Sequence, residues 1–145
     1  MKIEQQIVSF ELAKRLKDAG YPQDESEYYW LFVRNGIRDE WVIYHKGEFE
    51  VGEKEYDMRT VNDVPHYAAY TPAELGEWLP YRIREIDDDY WLNIQKLKYG
   101  GWELRYKTVD GKLHGQMNPD SIRQADIFAD AMGEMLLYLK EKGLL

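Results

Sequence analysis

The chain contains no cysteine at all. That excludes disulfide staples, cysteine nucleophiles and thiolate metal sites together. Histidine is nearly as scarce. His45, His66 and His114 are far apart in the chain, and none has a second ligand at metal-binding spacing. Three serines, Ser9, Ser26 and Ser121, lie outside any Gly-x-Ser-x-Gly elbow, and no glycine run has the spacing of a phosphate-cradling loop. No apolar stretch approaches the length of a membrane span, and the start Met1-Lys2-Ile3-Glu4-Gln5-Gln6 lacks the hydrophobic run of a secretory signal. No membrane association and a reducing, cytoplasmic location are the resulting expectations. No cofactor is expected either.

What is present suits a folded chain. At 145 residues, 44% apolar and 14% aromatic, it can bury a sizeable core as a single domain spanning residues 1–145. Its net charge of −8 opposes non-specific binding to polyanions such as nucleic acid and favours solubility or a basic protein partner.

Three helices are expected. Ser9 stands at the N-cap of the first, from Phe10 to Ala19, with Leu12, Ala13 and Leu16 as its buried stripe and Gly20 as its stop. Thr71-Pro72-Ala73-Glu74 spells a capping box with proline at the first helical position, and Leu75, Trp78 and Leu79 follow on one side. The third and longest is expected from Ser121 to Lys142, with Phe128, Met132, Met135 and Leu139 at 4-3-4 spacing. Asp126, Asp130 and Glu134 would form one acidic stripe on its solvated face.

Strands fill the intervals. Glu27–Arg34 and Ile37–His45 flank Asn35-Gly36, a hairpin turn that would pair Trp30 with Trp41 and Tyr28 with Ile43. Lys46-Gly47 permits a third strand at Glu48–Val51, and Gly52–Ala69 reads as a long loop. A second set comprises Tyr81–Ile86, Tyr90–Tyr99, Trp102–Val109 and Lys112–Met117. Between Tyr90–Tyr99 and Trp102–Val109 the register is open: Leu97 faces Leu104 across a two-residue loop, or Ile94 faces Tyr106 across a three-residue one. The expected fold is α+β and mostly antiparallel, with two meanders in the order α-βββ-α-βββ-α.

Three surfaces are candidates for function. On the first hairpin, Tyr28, Trp30 and Phe32 share a face with Trp41 and Ile43, and Tyr29, Leu31 and Val33 share the other with Val42 and Tyr44. Both faces are apolar, so Trp30, Trp41, Tyr29 and Tyr44 are the candidate contacts for a protein partner. Asp87-Asp88-Asp89, with help from His66 or Glu85, is the alternative of a divalent-metal-dependent hydrolase. Three adjacent aspartates point in different directions, however, and are common in turns. Lys96, Lys98, Arg105 and Lys107, interleaved with aromatics, are a further alternative as a single-strand nucleic-acid surface. Against it, Trp102, Leu104 and Tyr106 alternate onto one face as core residues would.

Residues 10–23, 71–80 and 125–144, with the strand Trp102–Tyr106, resemble a group of small uncharacterised proteins of Bacteroidetes-type bacteria and their phages or mobile elements. The resemblance covers most of the chain. It implies an accessory role on a mobile element and carries over no catalytic residue.

Overall fold

The computed structural model describes residues 1–34, 39–46, 65–114 and 122–145. A single 3-10 turn at Ile3–Gln5 precedes α1 (Phe10–Asp18). Then come β1 (Tyr28–Arg34), β2 (Asp39–His45), β3 (His66–Ala68) and α2 (Pro72–Trp78). The second half holds β4 (Arg82–Arg84), β5 (Asp89–Lys96), β6 (Trp102–Lys107), β7 (Arg123–Ala125) and α3 (Phe128–Glu141). The architecture is α+β, with two antiparallel sheets ordered β2-β1-β3 and β4-β5-β6-β7 and the longest helix at the C-terminal end.

Two glycine stops and one N-terminal cap follow their sequence signals. α1 closes on Gly20 at φ 91°, with Tyr21 N–H donating to Leu16 C=O at 3.1 Å and Gly20 N–H to Lys17 C=O at 2.9 Å. α3 closes on Gly143 in the same way, through Leu144 to Leu139 and Gly143 to Lys140. Both are Schellman stops, where a positive φ is needed and glycine supplies it without a Cβ penalty. At α2 the capping box forms in full: Glu74 N–H donates to Thr71 Oγ1 at 3.3 Å, and Thr71 N–H donates to Glu74 Oε2 at 2.6 Å.

Three expectations about strands are corrected. The first hairpin pairs Trp30 with Ile43, Phe32 with Trp41 and Tyr28 with His45, not Trp30 with Trp41. Its ladder ends at Arg34–Asp39, where a two-residue Asn35-Gly36 turn would pair Arg34 with Ile37, and this shift of two leaves the strand faces as expected. The turn itself, and the strand expected at Glu48–Val51, lie outside the described residues. The neighbour of β1 on its other side is β3, inside the segment expected to be a loop. Between β5 and β6 the register joins Ile94 to Leu104 and Leu92 to Tyr106, matching neither alternative. The loop is still three residues long, because Leu97 N–H bonds Gly101 C=O and Gly100, at φ 99°, closes the turn.

The helix expected from Ser121 starts only at Phe128, since residues 123–125 pair with β6 as β7. Ser121 lies outside the described residues, as does the end of the strand expected at Lys112–Met117. Of that strand a bridge from Lys107 to Leu113 is seen.

α3 is the hub. It contacts β6 and β7 on one side and α1 and α2 on others, with Met132, Met135, Leu136 and Leu139 buried. Burying each such side chain contributes roughly 1.5–3 kcal/mol. The buried cluster draws on all three helices and both sheets, and Tyr29, Tyr70 and Tyr106 are its largest fully buried side chains. No helix among the described residues is long and apolar enough to cross a membrane.

Candidate functional site

β1 alternates, and its two faces meet different fates. Tyr29 is fully buried and Tyr44, its cross-strand partner, is 7% exposed, so both are core residues and neither is offered to a partner. Burial, helped by the nearby Asp24 and Glu74 carboxylates, pushes the Tyr29 phenol up to about 12. This corrects half of the proposed contact set. The physical reason is that Leu75 of α2 and Tyr70 just before it belong to the same buried cluster as that face of the sheet.

The other face holds Trp30, Phe32 and Trp41, all half-buried. Trp41 is the centre of an aromatic layer, with ring centroids 4.6 Å from Phe10, 5.2 Å from Tyr67 and 5.3 Å from Phe32. Phe10 also meets Trp30 edge-on at 6.0 Å and Tyr67 edge-on at 5.6 Å. Trp30 is fixed by its indole N–H, which donates to Val8 C=O at 3.1 Å. Such pairs contribute about 0.5–1.5 kcal/mol each beyond area burial, so the layer is rigid. Two cations border it. Lys17 Nζ lies 5.0 Å from the Tyr67 ring centroid and Lys14 Nζ 5.5 Å from that of Phe10.

Phe10 and Tyr67 were missed as members of this layer. Phe10 read as a helix start, and Tyr67 lay in a segment without strand periodicity. The signal that could have found Phe10 is that it lies on one flank of α1 with Lys14 and Lys17, at i, i+4 and i+7, beside the buried stripe; Tyr67 carried none.

The Asp87–Asp89 cluster is a turn. Arg84 pairs with Asp89, and Glu85 N–H bonds Asp88 C=O at 2.9 Å between β4 and β5. Asp88 accepts from Lys112 Nζ at 2.6 Å, and Asp89 lies 3.9 Å from Arg82 and 3.7 Å from Arg84. Glu85 meets His114 Nε2 at 2.7 Å. His66 belongs to β3 in the other sheet and packs edge-on against Tyr29. Among the described residues no three His, Asp or Glu side chains gather where a metal ion could sit.

The basic residues of the second sheet divide. Arg105 and Lys107 share the face of β6 that also carries Glu103, while Lys96 is opposite Trp102 and Lys98 sits in the turn. Arg105 is engaged by Glu103 at 3.3 Å and by Gln95 at 3.1 Å. The structure does not bring the four cations into one track.

α1 and α3 run parallel, stitched by polar contacts. Asp130 Oδ1 accepts from Ser9 N–H at 2.7 Å, so the helix start expected to be capped by the Ser9 hydroxyl is met by a carboxylate from the other helix. Arg15 forms a two-pronged pair with Glu134, and Lys140 Nζ donates to Ala19 C=O. The expected solvated stripe is therefore an interhelical seam, and Asp126 stands before the helix. Burial holds the Asp130 carboxyl above its ordinary range in spite of the Ser9 N–H. Beside this seam is a cleft of about 380 Å³ reaching to β7.

No family model, curated protein or solved structure matches the chain.

Proposed function

We propose that the protein is a non-enzymatic binding domain that docks a partner protein on the aromatic layer of its three-stranded sheet. The observation that carries this reading is the half-buried Trp41 at the centre of Phe10, Phe32 and Tyr67, bordered by Lys14 and Lys17. Rigid aromatics lose little entropy on binding and are enriched at binding hot spots. The lysines select an acidic rim on the partner, and Trp30 and Trp41 supply the apolar anchor. The resemblance to small mobile-element proteins is in keeping with an accessory role of this kind, in the cytoplasm of a bacterial host.

The test is an affinity pull-down from such a host, followed by titration of the purified partner against wild-type, Trp41→Ala and Lys17→Glu proteins. Both variants are expected to bind at least about tenfold more weakly; Lys17→Glu also loses an exposed donation from Nζ to His66 C=O at 3.1 Å, so its melting temperature falls by about 2–4 °C at most. Undiminished binding in both variants would remove the aromatic layer from the interface.

A further inference from the structure

The four-stranded sheet packs one face against α3. Leu104 and Tyr106 are buried on that side, and Trp102 beside them has its ring centroid 4.6 Å from that of Phe128. The register assembles the opposite face. One row across three strands reads Arg82–Trp91–Lys107, and the next row on β5 and β6 sets Asn93 beside Arg105. Adjacent strands lie about 4.8 Å apart, so a cation brackets Trp91 at roughly that distance on either side. Trp91 is 40% exposed, and Tyr81 at the edge of the row is 70% exposed.

The two aromatics are joined by a cation. Their ring centroids are 6.1 Å apart, and the Arg82 guanidinium lies 5.3 Å from that of Trp91 and 6.0 Å from that of Tyr81. A guanidinium stacked in this way keeps N–H donors for an acceptor from outside. Arg82 and Arg84 share a single carboxylate, Asp89, at 3.9 and 3.7 Å. Arg105 is matched by Glu103 at 3.3 Å, and Lys107 has no ion pair among the described residues. Four cations thus face two carboxylates, a positive surplus of two in a chain whose net charge is −8. The long pairs to Asp89 are weak and exchange readily for a stronger anion.

Charge and rings together select the occupant. The surplus calls for an anion, and neighbouring exposed aromatics call for flat rings. An acidic peptide supplies the charge without the rings, and a duplex hides the faces of its bases. A single strand offers a base with every phosphate. We propose that this face of the four-stranded sheet binds single-stranded nucleic acid, with one base stacked on Trp91, the next on Tyr81, and phosphates on Arg82 and Lys107. The acidic remainder of the chain repels a polyanion and confines the strand to this face. The sequence could not assemble the site, because Lys96 falls on the packed face and Arg82 and Arg84 join only through the pairing of β4 with β5. The site is on a different sheet from the aromatic layer and is independent of it.

The experiment is fluorescence anisotropy of labelled single strands of about ten nucleotides, oligo-thymidine and oligo-uridine, titrated with the full chain. A duplex of the same length and a poly-glutamate peptide are the comparison probes. The single strands are expected to bind with Kd on the order of 1–100 µM at low salt. The logarithm of the affinity should fall against the logarithm of salt with a slope of about −1.4, the value for two phosphates at about −0.7 each. Trp91→Ala should weaken binding about tenfold, and Trp91→Phe should restore most of it. Lys107→Gln should reduce the slope to about −0.7, whereas Lys142→Glu, a larger charge change at the exposed end of α3, should leave the slope as it is. If Trp91→Ala melts far below the wild type, Lys107→Gln carries the decision. Absence of binding by both single strands at low salt overturns the proposal. So does equal binding of the duplex or of poly-glutamate, which would show an anion surface indifferent to bases. A folded Trp91→Ala protein that binds as the wild type does, or a slope unchanged by Lys107→Gln, overturns it as well.

Discussion

Gly133 of α3 lies directly against Leu12 of α1: a methyl group at position 133 would stand 2.7 Å from Leu12 Cδ2 and 3.3 Å from its Cγ. The Leu12 and Leu16 side chains packed onto Gly133 explain a glycine in a helix interior, where it otherwise costs about 1 kcal/mol relative to alanine. Gly133→Ala is expected to destabilise by about 1–3 kcal/mol in urea unfolding, because overpacking exceeds the propensity gain. Leu12→Ala, which empties the contested space, should make the second substitution far less harmful. Strict additivity of the two would contradict the packing described.

Asp130 gives the stability a pH signature. The folded chain holds this proton more tightly than the unfolded chain, where the ordinary value is 3.8. The contribution is therefore complete below that value and is lost as pH rises through the raised one. Asp130→Asn keeps a side-chain oxygen for Ser9 N–H and has no proton to lose. Its melting temperature relative to wild type should climb between acidic and neutral pH. A pH-independent difference would mean that Asp130 is not desolvated in the fold.

Glu74 has two tasks, one in its own helix turn and one beyond it. Oε2 accepts from Thr71 N–H, and Oε1 accepts from Glu27 N–H at 2.8 Å, tying the start of β1 to the start of α2. Glu74→Ala should cost about 1–3 kcal/mol, more than Thr71→Ala at about 1 kcal/mol, because it strands two backbone donors instead of one. Equal losses in chemical denaturation would reduce Glu74 to its capping-box role.

Tyr106 is buried, and its hydroxyl donates to Pro80 C=O at the end of α2. Burial pushes its phenol well above the usual tyrosine range. Tyr106→Phe should cost about 1–2 kcal/mol through the stranded carbonyl. An unchanged unfolding midpoint would show that water reaches Pro80.

Signals confined to a few neighbouring residues were legible in the chain. The Thr71–Glu74 box, the Gly20 and Gly143 stops and the alternation of Trp102, Leu104 and Tyr106 all appear where local chemistry puts them. Pairings between distant segments were not. Residues 66–68 and 123–125 become strands because β1 and β6 offer free edges, and three residues are too few to show a period of two. The candidate site was half legible for the same reason. Alternation separates Trp30 and Trp41 from Tyr29 and Tyr44, but only the tertiary fold decides which of two apolar faces becomes core.

The seam between α1 and α3 joins residues 121 positions apart in the chain. At about 5–20 residues per second, a ribosome needs roughly 6–24 s to synthesise that interval. For all of that time Leu12, Ala13 and Leu16 have no α3 to rest on. The nascent chain therefore carries an apolar stripe still without its α3 cover, a surface of the kind that holding chaperones take up, and synthesis of α3 is what releases it.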